Sequence, residues 1–213
     1  IGVRLVGSEM CIRDSILSYL FHPIFLPTFG LVVIFGLNRY ISATTPFDKQ
    51  FFLVSWIFVN TAVIPFIFTA VLRWKKLVSS IQLETREDRI IPFTFALFFY
   101  LTNYWLLRDI PMPQIIYSIF LGSSVAVGIA LLVNFYTKIS IHMIGMGGVT
   151  ASIYGMSQLY ELDLVGYILL GLVASGLVGS ARFILESHNL RQIYLGWGTG
   201  FVSVYTPIIL GWG

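Results

Sequence analysis

The chain has 213 residues, of which 57% are hydrophobic and only 11% charged, with a mean hydropathy of +0.85. Soluble domains carry about 25% charged residues, so this composition excludes a soluble domain and defines an integral membrane protein. The net charge of +3 is small and its bases are scattered over short loops, which excludes a nucleic-acid-binding surface.

Residues Ile1 to Ser15 read unlike the rest, and Leu5 to Asp14 resembles translated sequencing-adapter sequence. This stretch is set apart from the fold, and with it Cys11, the only cysteine. From Ile16 onward a single domain is expected. Runs of about 20 apolar residues mark membrane crossings. In chain order they fall at Ile16–Asn38, Phe51–Leu72, Ile91–Leu107, Ile115–Tyr136, Met143–Tyr160, Leu164–Ile184 and Ile193–Gly213. The third is short and the last is rich in glycine, so the expectation is an all-α, polytopic transmembrane bundle of six or seven spans. Tyr40, Trp74, Trp105, Tyr136 and Tyr160 lie near segment ends, where amphipathic rings favour the lipid–water boundary. Gly147, Ala151 and Gly155, and again Gly171, Ser175 and Gly179, recur every four residues. Such stripes let helices approach closely, and core packing is their expected role.

Counting crossings puts three polar interruptions on one side: Arg73–Arg89, Lys138–His142 and Arg182–Gln192. That side carries Arg73, Lys75, Lys76, Arg86, Arg89, Lys138, Arg182 and Arg191, against Arg39, Lys49 and Arg108 opposite. Taken literally the positive-inside rule makes the richer side cytoplasmic. Setting aside Arg86, Arg89, Arg182 and Arg191 as phosphate ligands nearly balances the count, so orientation stays open. His22, followed by Pro23, sits near the start of the first span and is expected to be an interfacial or packing residue.

The stretch from Ala181 to Gly196 carries the chemistry. Arg182, His188 six residues on and Gly196 eight beyond that lie between two apolar segments, where charge is costly. Guanidinium is shaped to grip phosphate in two parallel hydrogen bonds, and imidazole can attack phosphorus or move a proton. The spacing resembles the third signature of the PAP2 (phosphatidic acid phosphatase type 2) superfamily, Ser-Arg-x5-His-x3-Asp-x3-Gly, with Ala181 for the Ser and Gln192 for the Asp. The second signature, Pro-Ser-Gly-His, is similar to Ile139-Ser140-Ile141-His142. The first, Lys-x6-Arg-Pro, is met partially by Gln82, Arg89 and the later Pro92. The order is that of the family, and the resemblance covers Gln82 to Gly196.

The resemblance implies a metal-independent phosphatase acting on a lipid phosphate or isoprenoid diphosphate, with no cofactor. His188 would be the nucleophile forming a phospho-histidine, and His142 the acid for the departing lipid oxygen and then the base for water. Arg182 and Arg89 would hold the phosphoryl oxygens, with Ser140, Arg86, Gln192 and Gly196 completing the substrate-binding set. The departures bear on rate. Gln192 can still accept the ring N–H of His188 but supplies no charge, and Gln82 removes a lysine. Glu84, Glu87 or Asp88 would have to cross over to supply the missing carboxylate. Two rival readings follow: an attenuated or inactive member that binds a lipid head group, and a small transporter. The transporter would place ionisable groups in mid-span, and apart from His22 near an end the spans contain none.

Overall fold

The computed structural model describes residues 21–81, 83, 85–185 and 187–212, and among these the regular secondary structure is entirely helical. After a turn at 21–25 come α1 (Leu26–Leu37), a short α2 (Arg39–Thr44) and α3 (Phe47–Trp74), whose middle relaxes into a π-turn at Val59–Val63. Then follow α4 (Arg86–Leu107), α5 (Gln114–Asn134), α6 (Ile141–Leu159), α7 (Val165–Ile184) and α8 (Leu190–Leu210). Five of these, α3, α4, α5, α7 and α8, are long and apolar enough to cross a membrane. The protein is thus a multi-pass helical membrane protein.

Three expectations are corrected in detail. The first span was placed at Ile16–Asn38. Its described part is the 12-residue α1, which at 1.5 Å per residue is shorter than a bilayer core, and residues 16–20 lie outside the described residues. The third span is not short: α4 has 22 residues, because its charged first turn Arg86–Arg89 is already helical. Thr85 makes that possible, its hydroxyl accepting the Asp88 N–H at 3.2 Å. Pro92 follows soon enough after the start to be carried without breaking the helix.

The fifth expected span, realised as α6, is missing from the five apolar helices, and its place in the bundle gives the reason. It packs against α1, α5, α7 and α8, and Met143, Met146, Gly147, Thr150, Ala151 and Met156 are buried. A helix that meets other helices on most sides needs no lipid-compatible surface, so polar and small residues are tolerated along it. On the outside the converse holds. Leu169, Leu170, Val173 and Leu177 of α7 stand exposed, an apolar face suited to lipid.

The small-residue stripes do pack, as expected. A Cβ on Gly147 would strike the Trp197 carbonyl of α8, and one on Gly200 would strike the Ile144 carbonyl of α6. Gly155 lies against Ile208, Gly171 against Thr150, and Ser175 accepts the Trp197 indole N–H at 3.1 Å. These contacts advance together along α6 and α8, so the two helices run parallel, with the antiparallel α7 between them in sequence. Gly200→Ala is expected to lower stability by about 1–3 kcal/mol, since a backbone carbonyl has no rotamer with which to give way. Thermal unfolding in detergent would register this, with Gly198→Ala, whose new Cβ meets nothing within 4 Å, near neutral.

The register also fixes which ends share a side. Gly122 of α5 meets Ser203 of α8, Trp56 of α3 donates to Asn103 of α4 at 2.9 Å, and Phe68 stacks on Phe95. Leu26 of α1 lies beside Gly145 of α6. One end of the bundle therefore gathers the N-termini of α1, α4, α6 and α8 with the C-termini of α3, α5 and α7. Helix N-termini carry partial positive charge and C-termini partial negative charge, so the four and the three largely cancel, and any preference of that end for anions must come from its side chains.

Candidate functional site

All the described motif residues lie at that end. After α7 the chain doubles back, and the Ser187 and His188 amides both donate to the Arg182 carbonyl, at 3.2 and 3.4 Å. This fold-back carries His188 over the end of α7, where it is buried. Asn189 and Gln192 then start α8 with a reciprocal capping box. In it the Gln192 Oε1 accepts the Asn189 N–H at 3.3 Å and faces the His188 Nδ1 at 3.0 Å. Because that atom already accepts a backbone N–H, it is the amide oxygen, and the ring nitrogen facing it must carry the hydrogen. The lone pair of neutral His188 therefore sits on Nε2.

The second motif is joined to the third through the backbone. The Ser140 N–H donates to the Gln192 carbonyl at 3.4 Å, and a Cβ on Gly196 would lie 2.7 Å from the Ser140 carbonyl. Gly196 thus has a packing role: it lets α8 close onto the start of α6. Ser140 is the N-cap residue of α6, yet its hydroxyl makes no cap bond. It is fully buried, and its Oγ has no hydrogen-bond partner among the described residues.

Arg89 supplies the first motif. Its Nε donates to the Leu83 carbonyl at 2.8 Å and its Nη1 to the Ile139 carbonyl at 3.3 Å, so it spans from the α3–α4 loop to the residue before Ser140. Leu83 takes a left-handed φ of 54°, part of the turn that aims its carbonyl at the guanidinium. These bonds use two of the five guanidinium N–H groups. Arg86 lies further out, with its Nη1 on the Tyr136 carbonyl at 2.9 Å while its own carbonyl accepts from Asn134 at 2.8 Å. Its visible work is to tie α4 to the end of α5. The Nε of Arg182 is buried without a hydrogen-bond partner among the described residues.

The electrostatics follow from this assembly. Burial pushes the His188 imidazole down to about 4; the Gln192 hydrogen bond works against that, and the charges of Arg89, Arg182 and Lys138 reinforce it. Among the described residues no carboxylate pairs with Arg89 or Arg182. The expected substitute carboxylate is not supplied by Asp88. It is buried and held by the backbone N–H of Ser79 at 2.8 Å and by the Ser79 hydroxyl. Glu87 is exposed, and Glu84, Glu186 and Gln82 lie outside the described residues. The result is a cluster of buried cationic and neutral donors without a counter-ion among the described residues.

Two members were not singled out by sequence. Lys138 acts on His188 through its charge. His22, expected to be an interfacial or packing residue, packs its ring edge-on to His142, with centroids 5.4 Å apart, and Arg182 is the charge it feels. The available signal was topological: the start of the first span is on the motif side by the count of crossings.

Ser140→Ala distinguishes an anion site from a packed core. A buried hydroxyl with no partner costs about 1–3 kcal/mol. The variant is therefore expected to be as stable as the parent or more so without anion, and to bind inorganic phosphate several-fold more weakly. Thermal unfolding with and without phosphate checks both signs.

Compared with known proteins, the chain matches no family model, no curated protein and no solved structure.

Proposed function

We propose that this protein is a metal-independent membrane phosphatase of the PAP2 type. It would act on a lipid phosphate or diphosphate at one edge of a bundle of six or seven crossings. The phosphoryl oxygens lie against Arg89, Arg182 and the Ser140 hydroxyl. The His188 Nε2 lone pair attacks phosphorus, the bond from phosphorus to the lipid-side oxygen breaks, and His142 as imidazolium gives that oxygen a proton. Water then attacks the phospho-histidine while His142 takes its proton, and inorganic phosphate leaves. Charge spreads over the equatorial oxygens in both transition states, so the fixed cations are the main catalytic resource.

The observation that supports this most is a pair of buried donors beside the His188 fold-back, Ser140 Oγ and Arg182 Nε, without partners among the described residues. Buried polar atoms are normally satisfied, and an anionic head group would satisfy both. The test is release of inorganic phosphate by the purified chain from a panel of lipid monophosphates and diphosphates, with Arg182→Ala alongside. Release that falls with the arginine supports the reading; no release from any substrate rejects catalysis. One feature favours a second reading, a head-group binder with little turnover: Gln192 holds the His188 ring without the negative charge that would stabilise an imidazolium.

A further inference from the structure

The end of the bundle away from the candidate site carries a cavity of 490 Å³ lined by Leu37, Asn38, Arg39, Tyr40, Tyr160 and Leu162. Small-ligand sites run from about 300 to 1,000 Å³, so the space is sufficient. Its origin is a mismatch in helix length. Leu26 of α1 lies beside Gly145 of α6, yet α1 ends at Leu37 while α6 continues to Leu159, about one turn further. On one side the gap is walled by α2, which Gln50 of α3 holds by donating to the Ser42 and Thr45 carbonyls at 2.9 and 2.7 Å. On the other, the turn after α6 is closed on itself. The Leu162 N–H donates to the Ser157 carbonyl at 3.0 Å, and the Ser157 hydroxyl donates to the Leu162 carbonyl at 2.7 Å.

The lining favours an anion. Asn38 is 1% exposed; its Oδ1 caps α2 by accepting the Ile41 N–H at 3.0 Å, while its Nδ2 has no hydrogen-bond partner among the described residues. Buried amide hydrogens are normally satisfied, and a ligand oxygen would satisfy this one. Arg39 is exposed, makes no ion pair among the described residues, and shares the lining with no carboxylate. Glu161 and Asp163 of the neighbouring turn are exposed and stand outside that lining. A guanidinium suits phosphate in particular. Tyr40 and Tyr160 are of the type that favours the lipid–water boundary, and Val32, Gly36, Leu159 and Val165 leave apolar surface exposed on the bounding elements. A free anion would use the donors alone, whereas a lipid would use both donors and apolar surface. We propose that this cavity holds the phosphate of an anionic phospholipid from the leaflet opposite the candidate site, with Arg39 and the Asn38 amide as its donors. It is a second lipid site, independent of the chemistry proposed at the other end.

Native mass spectrometry of the full chain, released from detergent after incubation with phosphatidylglycerol or phosphatidylcholine, counts the bound lipids. The parent is expected to retain one phosphatidylglycerol at least about tenfold more tightly than phosphatidylcholine. Arg39→Gln, at an exposed position, should weaken phosphatidylglycerol about tenfold, while Arg182→Ala at the other end should leave it within about twofold. Asn38→Asp keeps an oxygen to cap α2, removes the donor and brings negative charge to the cavity, so it should weaken binding at least as much. That variant decides the matter should Arg39→Gln fail to fold. Inorganic phosphate at equal concentration should not displace the lipid. No retained phosphatidylglycerol, equal retention of the two lipids, or undiminished binding in Arg39→Gln or Asn38→Asp overturns the proposal. Loss in Arg182→Ala alone moves the lipid to the other end and overturns it too, and displacement by inorganic phosphate assigns the cavity to a free anion instead. None of these outcomes measures phosphate release, so failure here leaves the phosphatase reading to its own test.

Discussion

On the proposed mechanism, replacing His188 by alanine is expected to lower kcat by about 10⁴-fold or more, because nucleophile and covalent intermediate would vanish together. Binding should change far less. The ring is neutral at pH 7, with burial and the nearby cations holding it down to about 4, so it adds little charge to the grip on the head group. Arg89, Arg182 and the Ser140 hydroxyl remain. The expected signature is a collapse in kcat with KM within about threefold of the parent, the split that marks loss of a transition-state interaction rather than of ground-state binding. A residue that merely packed against α7 would show the opposite pattern, with lower stability and intact turnover of the folded fraction.

The second large effect runs upward. Gln192→Glu is isosteric, so the new carboxylate stands where the amide oxygen now lies, 3.0 Å from the His188 Nδ1, and can keep the Asn189 N–H. In a serine protease triad the loss of the equivalent charge costs about 10⁴, much of it through the wrong tautomer. Here the amide oxygen already selects the useful tautomer, so only the charge is lacking. A charge-assisted hydrogen bond in a buried site is worth about 1.5–3 kcal/mol, and turnover is expected to rise about 10- to 100-fold. The same carboxylate favours the imidazolium, so the acid limb of kcat/KM should move to higher pH. No gain in turnover, although the His188 ring now titrates at higher pH, would mark the protein as a head-group binder rather than a slowed enzyme.

Membrane character and the all-helical class were legible because twenty-residue apolar runs have few alternative explanations. The boundaries that escaped have local causes. The start of α4 is charged yet helical because Thr85 caps it, and α6 is poor in apolar surface because it meets protein rather than lipid. The site was legible where one helix turn or one tight loop holds it. Arg182, His188, Gln192 and Gly196 lie within a single fold-back, so their spacing in sequence is nearly their spacing in space. The grouping of three loops on one side followed from counting crossings, and the hydrogen bonds from Arg89 to Ile139 and from Ser140 to Gln192 join them. What could not be read was any contact made across the bundle. The edge-on approach of His22 to His142 depends on how α1 leans on α6, and no periodicity records that. For the same reason Asp88, offered by sequence as a stand-in carboxylate, is committed to Ser79 by the path of the α3–α4 loop.

Titration of the His188 ring by nuclear magnetic resonance, with and without inorganic phosphate, tests the proposed anion site most directly. Without anion the ring should titrate at about 4, because burial and three cations disfavour a further positive charge. The stability that its neutral form contributes is present above the ordinary histidine value near 6.5, and is lost as pH falls from there toward 4. Bound phosphate supplies the missing negative charge, so saturation should raise the His188 value and phosphate should bind more tightly as pH falls below neutral. A ring that titrates near 6.5 and does not move when phosphate is added would contradict an anion site at this end of the bundle.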